Sequence, residues 1–599
     1  MNKINYYNQD LDFKTLSGLI RRSIHLYGER PFFGVKREGT YEWMTYSEFG
    51  IRMRKMRSLL KSCGLKKGDR VALIANNSIE FALTAYASYG LGCVIVPMYE
   101  VQKVQDWEHI FSDSQPRLAV VSNDTIREKV EGLHSPGLEH LFVIRPTDAS
   151  AESLASLIDK AELMDDTDDE DVSEDDLCDI IYTSGTTGRP HGVELTHRNV
   201  VQNVIKTANV FNISCKDRIL SFLPWAHAFG KTVDFHIFPS VGAAVGLVEN
   251  NRTISQNLLE VNPTILCAVP KIFNKIYDTA HFKASSQTVK RLMFAQTEVI
   301  SDRAKHGGLS LFGKLQHKVL DRLVASKVRE AFGNSLRFCI SGGASLSKEV
   351  ATFFDNFGVQ IYEGCGMTEH APIIAVNIEN NVKIGAVGLP LPGVHVIIES
   401  DNEMLDKSND KCGEIVVESD CVMKCYHNDP TGTASAIDEK GRLHTGDMGY
   451  VDEDGFLYIT GRVKEQYKLE NGKYVVPTAL EEKINNSTFI DLSVVFGSGK
   501  PYNIVLIRPS DDYIEKFKKE NHLENASQSE IENHPKLREV ISNELRTACE
   551  DFRGYERPQK FAVILEPFTI QGGLLTPALK IKRREVEKRF AELIASLYK

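Results

Sequence analysis

The stretch DIIYTSGTTGRPHGVELTH, residues 179–197, joins an apolar run to a loop of small and hydroxyl-bearing residues. The run CDIIYTS predicts a buried strand. Gly185 and Gly188 let backbone approach a ligand closely. Hydroxyl donors come from Thr183, Ser184, Thr186 and Thr187. Backbone N–H groups turned into such a loop form an anion nest, so the stretch predicts a phosphate-binding loop.

This loop fits neither common nucleotide motif. G-x-x-x-x-G-K-[ST] cannot be laid over it, and G-x-G-x-x-G is absent. His191 stands where a phosphate loop favours a cation. On these residues alone, a surface turn stays open as an alternative to phosphate binding.

Strand and helix patterns alternate outward from the loop. RVALIANN, CVIVPMY, RLAVVSN and LFVIRP predict strands, and SIEFALTAYASYG predicts a helix. Such alternation indicates an α/β fold with doubly wound, mostly parallel sheets. From about residue 385, GVHVIIES, GEIVVES and GFLYITGR predict a β-rich subdomain, and the segment after Arg462 predicts a smaller α+β module. We therefore expect domains at 1–462 and 463–599.

Bulk composition narrows the function classes. The chain has 599 residues and a net charge of −10, which argues against a nucleic-acid partner. Its 11 cysteines show no metal-ligand spacing and predict reduced thiols. The uncharged run 81–99 is long enough for a membrane span, but its polar residues and β-rich second half favour a buried helix and strand. The N-terminus has no apolar core, so we expect a cytoplasmic protein.

Several further motifs share one resemblance. YTSGTTGRPHGVELTHRN closely resembles the signature of the adenylate-forming (AMP-binding) superfamily, and the similarity recurs in order along nearly the whole chain. The segments that carry it are LPWAHAFG (223–230), NPTILCAVPKIFNKIY (262–277), RFCISGGASL (337–346), YEGCGMTE (362–369), GAVGLPLPG (385–393), LHTGDMGYVDEDGFLYITGRVKEQYK (443–468) and GLLTPALKIKRR (573–584). Two of these segments, YEGCGMTE and GLLTPALKIKRR, resemble the form found in bacterial long-chain fatty acid–CoA ligases.

The resemblance implies an acid–thiol ligase. A long-chain fatty acid and Mg-ATP would give acyl-AMP and pyrophosphate, and coenzyme A would then accept the acyl group. It implies a large N-terminal domain and a smaller, mobile C-terminal domain with a hinge at Lys464. A fatty acid substrate also makes a peripheral membrane contact reasonable.

The resemblance implies roles for the residues of this chain that match the functional positions of the family motifs. The catalytic set is Lys580, Thr368, Glu369, His227 and Lys468, with Glu369 as the Mg²⁺ ligand. The phosphate loop is Thr183, Ser184, Gly185, Thr186, Thr187, Gly188 and His191. Adenine and ribose would meet Gly343, Ala344, Gly364, Cys365, Gly366, Met367, Asp447 and Arg462. The acyl pocket would be lined by Trp225, His227 and Gly342.

Three positions depart from the family pattern. His191 replaces a permanent cation with a side chain that loses its charge near neutral pH. Cys365 replaces the aromatic residue that stacks on adenine, at a cost of about 1–3 kcal/mol by analogy with base stacking. Lys271 replaces arginine. Two alternatives therefore stay open: transfer of the acyl group to a carrier-protein phosphopantetheine, and a degenerate, non-catalytic homologue that binds acyl groups or nucleotides.

Overall fold

The structure is a computed structural model. It describes residues 4–133, 135–148, 151–165, 171–184, 190–285, 288–305, 308–400, 412–487 and 489–599. The predicted α/β class is confirmed, because parallel strands alternate with helices through most of the chain.

The strands lie as follows in chain order: β1 Pro31–Arg37, β2 Thr40–Thr45, β3 Arg70–Ile74, β4 Val94–Met98, β5 Leu118–Asn123, β6 His140–Arg145, β7 Leu177–Ser184, β8 Pro190–Thr196, β9 Arg218–Ser221, β10 Ala244–Leu247, β11 Ile265–Ala268, β12 Phe338–Ser341, β13 Ile361–Gly366, β14 Ile373–Val376, β15 Leu389–Pro390, β16 His395–Glu399, β17 Gly413–Glu418, β18 Cys425–Tyr426, β19 Leu443–Val451, β20 Leu457–Arg462, β21 Tyr467–Lys468, β22 Tyr474–Val475, β23 Ile490–Phe496, β24 Ile504–Pro509 and β25 Lys560–Val563.

The α-helices are α1 Leu16–Tyr27, α2 Tyr46–Ser62, α3 Ile79–Gly90, α4 Val104–Ser114, α5 Asp124–Glu131, α6 Leu154–Lys160, α7 His197–Val210, α8 Ala228–Thr232, α9 Phe238–Ser240, α10 Ile254–Val261, α11 Pro270–Ser285, α12 Thr288–Lys305, α13 Leu311–Leu320, α14 Ser326–Glu330, α15 Lys348–Asn356, α16 Pro430–Ala436, α17 Pro477–Ile484, α18 Asp511–Glu520, α19 Gln528–Glu532, α20 Pro535–Ala548, α21 Arg583–Arg589 and α22 Ala591–Leu597. Short 3₁₀ turns are Thr368–His370 and Val463–Glu465, and π-helical turns are Val233–Ile237 and Asp321–Ala325.

The chain forms two compact units. The first comprises Met1–Val396, Val417–His444 and Glu453–Leu457, and the second comprises Ile397–Val416, Thr445–Asp452 and Tyr458–Lys599. The domain boundary expected at 462–464 stays a prediction.

Two large sheets build the first unit. A seven-stranded sheet has the order β18-β8-β7-β4-β3-β5-β6, and a nine-stranded sheet has the order β15-β14-β13-β12-β11-β9-β10-β1-β2. Pairing is parallel through the centre of both sheets. It is antiparallel at both ends of the nine-stranded sheet and at the β7-β8-β18 end of the seven-stranded sheet, whereas β6 at the other end pairs parallel with β5. Strands buried on both faces read as unbroken apolar runs, which is why RVALIANN and CVIVPMY were recognisable from sequence.

The uncharged run 81–99 is a buried helix followed by a buried strand, as predicted. Ser78 caps α3 by accepting a hydrogen bond of 3.1 Å from the Phe81 N–H. Every residue of α3 and of β4 is buried apart from Glu80, which is half-buried. In the described part of the chain, no helix combines the length and apolar character needed to cross a membrane.

The second unit is α+β. It holds most of the four-stranded sheet β16-β17-β19-β20, together with the three-stranded sheet β23-β24-β25 and the pair β21-β22. Apolar side chains from α17, α18 and α20 pack on β23 and β24, including Leu480, Phe517 and Ile541. The β-strands expected from about residue 385 and the mixed strands and helices expected after Arg462 are both present.

Candidate active site

A hairpin carries the predicted phosphate loop. Strands β7 and β8 pair antiparallel, with Thr183 opposite His191 and Ser184 opposite Pro190. The loop residues Gly185, Thr186, Thr187 and Gly188 lie outside the described residues. Thr183 and His191 therefore face each other across the hairpin, one pair before its last pair, close to the two ends of the loop.

His191 contacts a carboxylate that the sequence analysis did not select. Its Nδ1 lies 3.1 Å from Oδ2 of Asp429, and both side chains are 30% exposed. Asp429 also caps α16, because its Oδ1 accepts a hydrogen bond of 2.8 Å from the Gly432 N–H. The Tyr426 ring lies beside the imidazole, at 5.7 Å between ring centroids. His191 is thus braced between a capping carboxylate and an aromatic ring.

Thr368 and Glu369 lie in a buried 3₁₀ turn next to β14. Glu369 is 9% exposed, and its Oε1 accepts a hydrogen bond of 2.7 Å from the Tyr426 hydroxyl. That hydrogen bond contributes to a pKa for Tyr426 well above its ordinary value, although burial is the larger cause. The Glu369 carbonyl accepts from the Met423 N–H at 2.8 Å. Both the backbone and the carboxylate of Glu369 are therefore held by residues 423–426.

His370 anchors the same turn from inside the core. Its Nδ1 lies 3.0 Å from the Ile373 carbonyl, and its Nε2 lies 3.1 Å from the Ser419 hydroxyl. Burial lowers its pKa to about 4, so the ring is neutral at physiological pH. Asn203 donates to the carbonyls of His370 and Ile373 at 3.2 and 2.8 Å.

Residues 423–429, which we term the strap, connect the phosphate hairpin to Glu369. In the strap, β18 pairs with β8 through Cys425 opposite Glu194 and Tyr426 opposite Val193. His427 Nδ1 lies 2.7 Å from Glu194 Oε1, and this contact raises the pKa of His427. The strap is the part of the site that sequence reasoning missed. Asp-Pro at 429–430 signals a helix start, but no sequence signal pairs Tyr426 with a residue 57 positions away.

The predicted adenine-contacting segments end two neighbouring strands. Ser341 of β12 pairs with Glu363 of β13, so residues 342–344 leave β12 beside the last residues of β13. Residues 364–366 stay in the sheet, where they pair antiparallel with β14. Gly343 has φ +83° and is exposed, as is Ala344. A Cβ on Gly366 would lie 2.2 Å from the Pro372 carbonyl oxygen, so only glycine fits there. Gly364, Cys365 and Met367 are half-buried beside it.

His227 and Trp225 occupy different environments. His227 is half-buried and caps α8, where its Nδ1 accepts from the Phe229 N–H at 3.2 Å. Trp225 is only 1% exposed and packs against Phe235 and Phe81, with centroid separations of 4.6 and 5.5 Å. Gly342 is buried against the ring of Phe229. Trp225 is a core side chain here, and its predicted place in an acyl pocket stays a prediction.

A buried ion pair joins the strand before the phosphate loop to the helix after His227. Lys231 Nζ lies 3.2 Å from Asp179 Oδ1, and their side chains are 2% and 0% exposed. Tyr89 donates a hydrogen bond of 2.9 Å to the same carboxylate oxygen. The ammonium also faces the rings of Phe81, Tyr89 and Phe235 at 5.5 to 5.7 Å from their centroids. Burial raises the pKa of Asp179, and Lys231 opposes that shift.

In the second unit, two predicted ribose ligands meet. Arg462 Nε lies 3.1 Å from Asp447 Oδ1. Asp447 lies inside strand β19. Gly446, with φ +69°, precedes it, and the Thr445 hydroxyl accepts a hydrogen bond of 3.1 Å from the Asp447 N–H.

The three lysines of the second unit that have predicted roles, Lys464, Lys468 and Lys580, are exposed. Lys464 lies in the turn Val463–Glu465, and Lys468 lies in β21 with its Nζ 4.7 Å from the Tyr474 ring centroid. Lys580 precedes α21 in a tight turn, where its N–H donates to the Thr576 hydroxyl at 3.0 Å and its carbonyl accepts from the Thr576 N–H at 2.8 Å. In the first unit, Lys271 is exposed at the start of α11.

Comparisons with known proteins agree with these observations. The family model described as AMP-binding enzyme matches residues 20–427, and the model described as AMP-binding enzyme C-terminal domain matches residues 464–599. A Mycobacterium bovis protein named long-chain-fatty-acid–CoA ligase FadD15 is 32% identical over 575 residues, covering 94% of this chain and 93% of the relative. An Arabidopsis thaliana protein named long chain acyl-CoA synthetase 6, peroxisomal, is 30% identical and covers 98% of this chain and 87% of its own.

Solved structures share the fold. The anthranilate CoA ligase AuaEII, in complex with anthranoyl-AMP, has a TM-score of 0.73 at 20% identity, covering 99% of this chain and 98% of its own. The adenylation domain of a carboxylic acid reductase from Segniliparus rugosus has a TM-score of 0.75 at 21% identity, covering 98% of this chain and 94% of its own. Both family models match this chain, and its relatives are similar to it over nearly their full length. This chain therefore belongs to the AMP-binding enzyme family.

Proposed function

We propose that this chain is a long-chain fatty acid–CoA ligase. The observation that carries the proposal is the similarity, over 94% of the chain, to a relative of that name, together with the Glu369–Tyr426 contact beside the phosphate hairpin. In the first step, a carboxylate oxygen of the fatty acid attacks the α-phosphorus of ATP, and the bond to pyrophosphate breaks. In the second step, the thiol of coenzyme A loses its proton and attacks the acyl carbon, and AMP leaves.

Residues of the first unit would orient the nucleotide. The loop 184–188, with Thr183 and His191 at its ends, would hold the outer phosphates by backbone and hydroxyl donors. Thr368 would contact the α-phosphate. The adenine would lie against Gly343, Ala344 and the segment 364–367, where small residues at two strand ends leave backbone accessible. His227 would lie near the substrate carboxylate, with Gly342 and Trp225 toward the acyl chain.

The Glu369 carboxylate is suited to bind Mg²⁺. In the described part of the chain, no group of three or more His, Cys, Asp or Glu side chains could hold a metal ion. Mg²⁺ suits such a place, because it keeps several waters and binds through one or two carboxylates plus substrate phosphates. When bound, it would neutralise charge on the phosphates during phosphoryl transfer. Tyr426 holds Glu369 in place and leaves its second carboxylate oxygen for the ion.

The second unit would supply the remaining groups. Asp447 would accept hydrogen bonds from the ribose hydroxyls, with Arg462 beside it. Lys580 would neutralise charge between the carboxylate and the α-phosphate during adenylation, and Lys468 would act in thioester formation. We further propose a domain boundary at 462–464, with Lys464 as the hinge, since the two family models leave residues 428–463 between them. A cytoplasmic location with a peripheral membrane contact suits a membrane-derived substrate.

The test supplies Mg-ATP, labelled palmitate, and either coenzyme A or a carrier protein bearing phosphopantetheine. We expect fatty-acid-dependent pyrophosphate release and label on coenzyme A. Label on the carrier protein alone would show that the carrier protein, and not coenzyme A, accepts the acyl group. No pyrophosphate with any fatty acid of six to twenty carbons would instead indicate a non-catalytic homologue, the alternative that His191 and Cys365 motivate.

A further inference from the structure

The backbone around Lys580 forms a small hairpin within the second unit. Leu575 and Ile581 make an antiparallel bridge at its base. Leu574, the residue before the bridge, is 4% exposed and packs in the apolar cluster on β23 and β24. We call residues 574–582 the lysine hairpin. It carries the exposed side chain of Lys580 on a backbone that is anchored in the core.

Thr576 closes the tip of the lysine hairpin. Its hydroxyl oxygen accepts a hydrogen bond of 3.0 Å from the Lys580 N–H, and its own N–H donates to the Lys580 carbonyl at 2.8 Å. Its carbonyl accepts from the Leu579 N–H, also at 2.8 Å. Thr576 is 5% exposed, so water competes little for these hydrogen bonds. Thr576 therefore holds the peptide groups on both sides of the Lys580 Cα.

Leu579 shows that the tip of the hairpin is held against its local preference. Its φ is +60°, in the left-handed region that residues other than glycine seldom occupy. Its side chain is 61% exposed, so packing of that side chain does not compensate. A strained backbone persists where its surroundings over-determine it, and such places cluster at active sites. Here the hydrogen bonds of Thr576 supply the constraint, and the strained residue directly precedes Lys580.

Arg583 fixes the chain on the other side of Lys580, at the start of α21. Its guanidinium donates hydrogen bonds of 2.7 Å to the Val495 carbonyl and 2.6 Å to Oε2 of Glu481. Glu481 is 6% exposed, and its other carboxylate oxygen accepts from the Val495 N–H at 2.6 Å. A planar guanidinium that donates to two fixed acceptors keeps one orientation. Arg583 therefore holds the end of the lysine hairpin against α17 and β23.

We propose that Thr576 and Arg583 are positioning residues for Lys580. They order the backbone before and after the lysine, so that only its side-chain torsions remain to be ordered when the ammonium reaches the reacting groups. Ordering in advance lowers the entropy cost of that geometry. The inference rests on the proposed function, which gives Lys580 its part in adenylation and Lys468 its part in thioester formation.

Separate assays of the two half-reactions, on the full chain, test the proposal. Adenylation is followed as palmitate-dependent exchange of labelled pyrophosphate into ATP, without coenzyme A. Thioester formation is followed with synthetic palmitoyl-AMP and coenzyme A. A residue that acts through Lys580 should affect the first assay and spare the second, whereas a residue that only stabilises the fold should affect both.

Thr576→Val removes the hydroxyl and keeps the size of the side chain. We expect kcat for adenylation to fall about tenfold, while the KM for ATP and the rate of thioester formation stay within about twofold of wild type. Thr576→Ser keeps the hydroxyl and should restore adenylation. Arg583→Lys keeps the charge and loses the fixed fork of donors, so the same selective loss should follow, by about fivefold.

Two matched variants of the second unit control for general effects. Thr569→Val removes a hydroxyl that accepts from the Gly572 N–H at 2.9 Å, in the turn before the lysine hairpin. Arg508→Lys alters a guanidinium that donates at 2.6 Å to both Asp491 and Asp511. Both half-reactions should stay within about twofold of wild type in each control. Thermal melting should show that every variant is folded.

Hydrogen exchange tests the order of the backbone without any activity. In the peptide that spans residues 574–582, Thr576→Val and Arg583→Lys should raise the rate of amide exchange by about tenfold, because both release the backbone locally. The two control variants should leave this peptide unchanged. Exchange that is equally slow in wild type, Thr576→Val and Arg583→Lys would overturn the proposal.

The kinetic results can also overturn it. Equal losses in the two half-reactions, no loss in Thr576→Val and Arg583→Lys, or the same selective loss in a control variant would each do so. Lys580→Ala separates this inference from the proposed function, since it should lose adenylation and keep thioester formation. A wild type inactive in both assays would overturn the proposed function, and the part of Lys580 in adenylation with it. An active wild type whose Thr576→Val variant is unimpaired would overturn the positioning role alone.

Discussion

Tyr426 donates a hydrogen bond of 2.7 Å to Glu369, across 57 residues of sequence. Tyr426 belongs to the strap that pairs with β8, the strand leaving the phosphate loop. One hydroxyl therefore ties the proposed magnesium carboxylate to the proposed phosphate site.

Tyr426→Phe removes that hydroxyl and leaves the ring. Hydrogen bonds to charged groups contribute about 1.5–3 kcal/mol, so we expect at least a tenfold higher Mg²⁺ concentration for half-maximal pyrophosphate release. Tyr41→Phe is the matched control, since its hydroxyl donates to the Leu247 carbonyl at 2.9 Å, away from the site. An unchanged Mg²⁺ dependence in Tyr426→Phe would show that the hydroxyl does not orient Glu369.

His191→Lys tests the departure in the phosphate loop. Lysine keeps its charge across pH 6 to 8, so the variant places a permanent cation at position 191. We expect a lower KM for ATP, by about threefold to tenfold above pH 7, from one added charge near phosphate. The measurement is the KM for ATP at several pH values, with Asp429→Asn as a companion that keeps the helix cap but removes the charge. ATP kinetics that stay the same throughout would place residue 191 away from the phosphates.

Asp447→Asn tests the ribose contact. If the carboxylate accepts from the ribose hydroxyls, the wild type should use 2′-deoxy-ATP less efficiently than ATP, and the variant should lose that discrimination. We expect kcat/KM for ATP to fall about tenfold or more, in line with loss of a charged hydrogen bond. Asp454→Asn is the control, because Asp454 also pairs with a cation, Lys383, at 2.6 Å. Retained discrimination in Asp447→Asn would contradict the assignment.

Lys231→Met breaks the buried pair with Asp179. Removing one partner of a buried ion pair costs about 3–5 kcal/mol, because the other charge stays buried without compensation. We expect a clearly lower urea midpoint, and partial recovery in Lys231→Met/Asp179→Leu. Lys588→Met, which breaks an exposed pair with Glu585, should change the midpoint little. A double variant no more stable than Lys231→Met would argue against charge burial as the cause.

The buried carboxyl group of Asp234 should make the folding stability of the protein depend on pH. Burial raises the pKa of this carboxyl to about 8, and its Oδ2 accepts a hydrogen bond of 2.8 Å from Ser221. Between about pH 4 and 8 the folded state binds more protons at this group than the unfolded state does, so its stabilising contribution falls as pH rises. Asp234→Asn keeps the acceptor and should flatten the decline in melting temperature between pH 6 and 8.5. Identical pH profiles would mean that another group causes the decline.

Sequence patterns were sufficient for the layout of strands and helices. Buried parallel strands such as β3, β4 and β5 are continuous apolar runs, and α3 begins at Ser78, a residue with a capping side chain. Local signals of this kind do not depend on distant parts of the chain. Thr368, Glu369, Asp447 and Arg462 were selected by resemblance to family motifs, and their roles stay predictions.

Only the tertiary structure decided which residues touch one another. His191 and Asp429 are 238 positions apart, and no local pattern relates them. Trp225 packs against Phe81 and Phe235, two neighbours that no local pattern relates to it. Phe312, Leu315 and Val319 of α13 are spaced like the inner face of an amphipathic helix, yet all three side chains are exposed. Periodicity indicates that a helix face is apolar, but it does not indicate what covers that face. Propensity and pattern act over a few residues, whereas burial, ion pairing and exposure depend on contacts that only the folded chain creates.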